Sequence, residues 1–462
     1  MTNKNNNKSK RHLLSAQLMC LAVAGITISF AGPSYGGGFE DSLIKAYNAN
    51  PTLQQARAGL RATDEGVPSA LSGFRPSISA TGTVSDYSKE TNTSSAKTEL
   101  TPKTMSLSIT QPIFSGLGTV SALRQAVNTV KASRARLLST EQSVLLATAT
   151  AYLNVVRDGA VLKLNINNEQ VLGRQLDATR DRFKVGEITR TDVHLAEARL
   201  ARARAERIGA EGQLETSKAA YANIVGEAGG EFSAPDLNLD LPKSLEEALA
   251  KGQTANPRVI AAEYDERAAK ESTNSAKASL MPSVNLNGTA KRSIDSVQNN
   301  YESDELTGTI TLSIPLYQGG SAYSSLRRSK HQAAASRLAL DQALRDTTEE
   351  IHRSWENNLT AWARIGAFET QVKASETALE GVEKEASVGS RTVLDVLDAE
   401  QELLDARVNL VKSQRDATVA ALTLLSSVGR LTAKELKLPV DLYDAEGHYQ
   451  DVKWKMIGGT ID

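Results

Sequence analysis

The segment 388-VGSRTVLDVLDAEQEL-403 repeats 185-VGEITRTDVHLAEARL-200 at an offset of 203 residues. Each copy opens on Val-Gly, a helix-ending pair, and restarts behind a Thr as an apolar-periodic helix. The same offset carries 111-QPIFSG-116 onto 314-IPLYQG-319 and Val225-Gly226 onto Val428-Gly429. Nearer the N-terminus the offset is 206: 40-EDSLIKAYNANP-51 returns as 246-EEALAKGQTANP-257, and 74-FRPSISATGTV-84 as 280-LMPSVNLNGTA-290. A single three-residue difference across so long a match marks a duplicated unit.

Each unit reads helix, strand, strand, long helix, break, helix. The first spans 37–226 and the second 245–429, joined by a turn-rich linker at 227–244 and followed by a tail at 430–462. In 305-ELTGTITLSIPLY-317, Leu306, Ile310, Leu312, Ile314 and Leu316 alternate with Thr, Ser and Pro; in 103-KTMSLSITQPIF-114, Met105, Leu107 and Ile109 alternate with Ser and Thr. Period two with one apolar face is a strand signature. The partner strands are expected at 77–88 and 283–295, with polar links at 89–103 and 296–303.

No proline interrupts 118–185 or 321–388. At ~1.5 Å per residue each such helix would run roughly 100 Å, too long for a globular core. In the returning helix, Val396, Leu403 and Leu410 form one seven-residue series and Leu397, Leu404 and Val411 another. Two adjacent seams let one helix touch neighbours on both sides, as the wall of a helical tube requires; a wide face in a compact bundle would also fit. The strands decide between them. Four strands of about 12 residues with hydroxyls on one face and aliphatics on the other suit a tilted membrane crossing. A four-stranded sheet cannot close, and an open edge does not survive in lipid, so closure needs several chains.

Composition agrees with thin helical walls, since only 5% of residues are aromatic. Residues 1–36 read as a secretory signal: Lys4, Lys8, Lys10 and Arg11, then the apolar run 18-LMCLAVAGITISFA-31, then small residues. Removing its four basic residues from the 53 leaves 49 basic against 54 acidic, a net charge of −5. No basic stripe suggests nucleic acid. Cys20, the one cysteine, lies in that signal, so the remaining chain has no thiol chemistry and no disulfides. His12, His194, His331, His352 and His448 show no ligand spacing, and 116-GLG-118 lacks the third glycine of a dinucleotide loop. No metal, cofactor or catalytic role is expected.

At the two Val-Gly breaks, Thr189–Asp192 and Thr392–Asp395 fit the Thr-x-x-Asp capping pattern, which accounts for both acids structurally. Capping leaves Arg391 and Asp398 unexplained, because their counterparts are Ile188 and Leu195. Asp395 and Asp398, three apart, share a helix face.

The duplicated unit, the "NP" pairs at 50–51 and 256–257, the "QPIF" and "IPLY" strand ends, and 388-VGSRTVLDVLDAE-400 together resemble the TolC family of outer-membrane efflux channels. The resemblance covers essentially the whole chain after the signal. It implies a mainly α fold with membrane β: a trimeric 12-stranded outer-membrane barrel, four strands per chain, continued by a long periplasmic α-helical coiled-coil barrel. It implies a homotrimer in outer-membrane lipid of a Gram-negative bacterium, docked to a periplasmic adaptor (membrane fusion) protein and an inner-membrane transporter of the RND or ABC type. The channel would be a passive conduit for drugs or proteins. Arg391 would bond across to Thr191 and Asp192 to close a periplasmic gate. Asp395 and Asp398 would form an acidic selectivity ring, their crowding raising one another's pKa values. Val185, Gly186, Val388 and Gly389 would contact the adaptor. Ala386 departs from the pattern, standing where the family's lock adds a tyrosine. The competing expectation, a secreted coiled-coil structural or adhesive protein, explains the helices but not the strand pairs.

Overall fold

A computed structural model describes residues 38–91, 94–237 and 239–460. The expected signal at 1–36 lies outside them. The first repeat begins with α1 (Phe39–Ala49), α2 (Pro51–Asp64) and α3 (Gly66–Ser72), and the second with α6 (Leu245–Ala255) and α7 (Pro257–Ala278). The "NP" pairs explain the break within each set. Pro51 and Pro257 occupy the first helical position, where a missing N–H costs nothing. Asn50 Oδ1 accepts from Thr52 N (2.9 Å) while its Nδ2 donates to the Ile224 carbonyl (2.8 Å). Asn256 likewise accepts from Arg258 N (2.8 Å) and donates to the Ser427 carbonyl (2.8 Å). One amide thus caps a helix start and satisfies the end of a helix about 170 residues away.

Strands β1 (Ser77–Val84), β4 (Lys103–Ser115), β5 (Ser283–Ile294) and β6 (Glu302–Ser313) form one antiparallel sheet in the order β1-β4-β5-β6. One cross-strand row holds Ala80, Leu107, Ala290 and Leu306, and the next Ile78, Ile109, Gly288 and Gly308. The intervening rows on the opposite face are Ser79, Ser108, Thr289, Thr307 and Thr81, Ser106, Lys291, Glu305. Met105, Leu107, Ile109, Leu306, Ile310 and Leu312 are all exposed. An outward apolar band opposite a hydroxyl face is the pattern of a sheet whose outer solvent is lipid. Two expectations need correction. The segment 89–103 is not a plain link: β2 (Tyr87–Thr91) and β3 (Ser94–Leu100) pair as a ribbon of their own. Its sequence is polar on both faces, so the ribbon gives no alternation to read. And β6 ends at Ser313, before Pro315, which has no N–H for the ladder.

The long helices are α4 (Gly118–Lys184) and α8 (Ser321–Ser387), 67 residues each. Each turns back at its far end into α5 (Arg190–Val225) or α9 (Val393–Ser427). The turn into α4 needs its glycine: Gly116 has φ +60°, and a Cβ there would lie 2.6 Å from Met281 Cβ. This packing, not phosphate binding, accounts for 116-GLG-118. Around the middle of α4, Tyr152 meets Phe39 and Phe232 at ring distances of 5.4 and 5.2 Å. The linker and tail wrap this point through Leu237, Leu239, Leu431 and Leu438, and the tail ends in the short α10 (Gly447–Val452). A second apolar cluster lies near the hairpin tips, where Leu172 and Leu176 of α4 meet Val193, Ala196 and Leu200 of α5 and Val393 and Leu397 of α9.

Candidate functional site at the helical tips

Both tips use the same backbone device. After α4, Gly186 N bonds the Phe183 carbonyl and Glu187 N the Arg182 carbonyl, both at 3.0 Å; after α8, Gly389 N bonds Ala386 O (3.2 Å) and Ser390 N bonds Glu385 O (3.0 Å). These are Schellman closures, and they require the left-handed glycines Gly186 (φ +79°) and Gly389 (φ +78°). The next helix then starts with a complete capping box. Asp192 Oδ2 accepts from Thr189 N (2.9 Å) and Thr189 Oγ1 (2.7 Å), and Asp395 Oδ2 from Thr392 N (2.9 Å) and Thr392 Oγ1 (2.7 Å).

The capping bonds set the acidity. The Thr189 hydroxyl, then its backbone N–H, hold Asp192 below the usual carboxylate range. The Thr392 backbone N–H, then its hydroxyl, do the same for Asp395, with Arg391 adding to the effect. Within one chain, hydrogen bonds to the ionised form set both directions.

The tip charges are placed as follows. Arg391 Nε donates to Glu385 Oε2 (2.8 Å), across its own turn. In the first tip Arg182 Nε donates to Glu187 Oε2 (3.1 Å). The two pairs run in opposite sense, since Arg182 and Glu385 are repeat counterparts. Thr191 is exposed and Asp192 serves as a cap, and neither bonds Arg391 within the chain. Asp398 pairs with Arg199 of α5, an ion pair between the two hairpins. Glu385 and Arg199 escape sequence reading because neither sits at helical spacing from its partner. Val185 and Val388 are 71% and 79% exposed, bare aliphatics at the ends of the hairpins. Ala386 precedes the second turn, with no ring to contribute.

The profile of the family described as "Outer membrane efflux protein" matches residues 43–227 and 248–430, once over each repeat. The chain belongs to the outer membrane efflux protein family. It is 32% identical to the outer membrane efflux protein BepC of Brucella suis biovar 1 (strain 1330), over 90% of this chain and 91% of that one. Against the outer membrane protein TolC of Vibrio cholerae the identity is 27%, over 86% and 92%. Among solved structures, the outer membrane protein VceC of Vibrio cholerae superposes with a TM-score of 0.75 at 20% identity, covering 85% of this chain and 96% of that one. This efflux protein is thus an outer-membrane channel component. Its apolar sheet face is the lipid-facing surface, and the competing adhesive reading is not favoured.

Proposed function

We propose that this efflux protein is the homotrimeric outer-membrane conduit of a tripartite efflux or type I secretion system, gated at its helical tips. The observation that carries this reading is the sheet: four strands, apolar outside, hydroxyl-lined inside, with β1 and β6 left as edges. Those edges demand neighbours in lipid, and three copies supply twelve strands. The exposed valines at 185 and 388, with Gly186 and Gly389, form the surface for a periplasmic adaptor, which links the conduit to an RND or ABC transporter in the inner membrane. Transport is passive, and the transporter supplies the energy and selects the cargo.

At the gate, Arg391 uses one of its five donors on Glu385 and keeps the others to reach Thr191 and Asp192 of the first hairpin. Asp395 and Asp398 face the constriction as an acidic ring that favours cations. With Ala386 in place of a tyrosine, Arg391 carries this lock without an aromatic partner. In planar bilayers, Arg391→Ala is expected to raise single-channel conductance, and Asp395→Ala to weaken cation selectivity. Unchanged conductance and selectivity in both variants would remove the tip from the gating pathway.

A further inference from the structure

The tip contains a charge contact that the lock described above does not use. Asp398 stands where the first repeat has Leu195, and Arg199 where the second has Glu402. The pair therefore joins two positions at which the repeats differ, one in each hairpin. Among the described residues, the other ion pairs in this half of the hairpins stay within one hairpin, among them Arg180–Glu197, Arg182–Glu187 and Arg204–Glu169 in the first, and Arg407–Glu376 and Arg391–Glu385 in the second. Among the described residues, Arg199–Asp398 is the one ion pair between α5 and α9.

The pair lies over an apolar seam. Leu200 and Leu397, the chain neighbours of Arg199 and Asp398, are both buried in the tip cluster with Val193 and Val393. The seam brings the two helices together, and the ion pair lies at its margin. There the Arg199 side chain is 25% exposed and that of Asp398 57%. Partial shelter of the guanidinium makes the contact less screened than a fully solvated pair.

We infer that Arg199 is a selectivity- and closure-determining residue of the tip: it ties α9 to α5 and masks the charge of Asp398. This rests on the channel reading of the tips and deepens it. Two consequences separate it from a merely structural role. Breaking the pair from either side frees α9, so both single variants open the tip more often. On ion selectivity the two sides act oppositely. Removing Arg199 uncovers a carboxylate at the constriction, whereas removing Asp398 deletes one.

The test uses the purified full-length channel in planar lipid bilayers under a potassium chloride gradient, reading conductance and reversal potential. Arg199→Gln and Asp398→Asn are each expected to raise open occupancy roughly two- to fivefold, the range of a partly exposed ion pair. The reversal potential should move toward the potassium limit in Arg199→Gln and away from it in Asp398→Asn. The double exchange Arg199→Asp with Asp398→Arg should return open occupancy toward the wild-type value, which also shows that the variants fold. Wild-type conductance in Arg199→Gln, or reversal potentials moving in the same direction in both single variants, would overturn the inference while leaving the channel reading intact. Absence of pores from the wild-type protein would overturn the channel reading, and this inference with it.

Discussion

Between the first hairpin tip, 182–192, and the second, 385–395, each backbone closure and each capping bond has a counterpart. The charges do not. Arg182 precedes its turn and reaches forward to Glu187; Arg391 follows its turn and reaches back to Glu385. Duplication kept what the backbone needs, a glycine at positive φ and a Thr-x-x-Asp cap, because those requirements are steric and local. Side-chain charge at an exposed turn is cheap to rearrange, since such pairs contribute little to folding. Divergence there is accordingly where one copy carries something the other lacks, as with Asp398 and its partner Arg199.

The sharpest way to break the symmetry lies where α5 and α9 end. Gly226 and Gly429 are counterparts with φ of +91° and +82°. A Cβ on Gly226 meets nothing within 4 Å, but on Gly429 it would lie 2.5 Å from the Ala255 carbonyl oxygen. Gly226→Ala should therefore cost about 1 kcal/mol, the left-handed penalty alone. Gly429→Ala should cost about 3 kcal/mol, because backbone overlap with the end of α6 adds to the strain. Thermal unfolding followed by circular dichroism measures the ranking; equal midpoints would mean that the end of α6 yields freely.

A smaller effect should leave the symmetry standing. Asn50→Ala and Asn256→Ala each remove a helix cap and orphan a carbonyl, of Ile224 or of Ser427. Each should cost about 2 kcal/mol, and by similar amounts. If one variant unfolds well below the other, the two pairs no longer do the same structural work, despite matching distances.

The same contrast between local and distant causes explains what could be read from the chain. The 67-residue helices follow from the absence of proline and the Val-Gly stops, the sheet from period-two alternation, and both caps from Thr-x-x-Asp, all of them local patterns. Arg199 and Asp398 lie 199 positions apart with no periodic relation, and Glu385 meets Arg391 only because a Schellman turn folds the chain back on itself. The tail lays single leucines, Leu431 and Leu438, into the cluster around Tyr152, a contact with no periodicity in the sequence. The β2–β3 ribbon was hidden by the polarity of both its faces.

The smallest expected effect concerns the caps themselves. Asp192 and Asp395 both have depressed pKa values, from bonds to Thr189 and Thr392, and in each an arginine contributes: Arg182 for Asp192, Arg391 for Asp395. A carboxylate whose folded pKa is depressed contributes stability that is present above its unfolded value, about 3.9, and lost as pH falls through the folded one. Amide exchange at 189–192 and 392–395, corrected for intrinsic rates, should stay slow above pH of about 4 and quicken below it. Arg182→Gln and Arg391→Gln each raise the folded pKa, so at their own tip only the quickening should be smaller and complete at a higher pH. The arginines approach from opposite sides of otherwise equivalent turns, so matching shifts would show that the two copies reached one electrostatic solution by different routes. A shift in one tip alone would mean that only that arginine supports its cap.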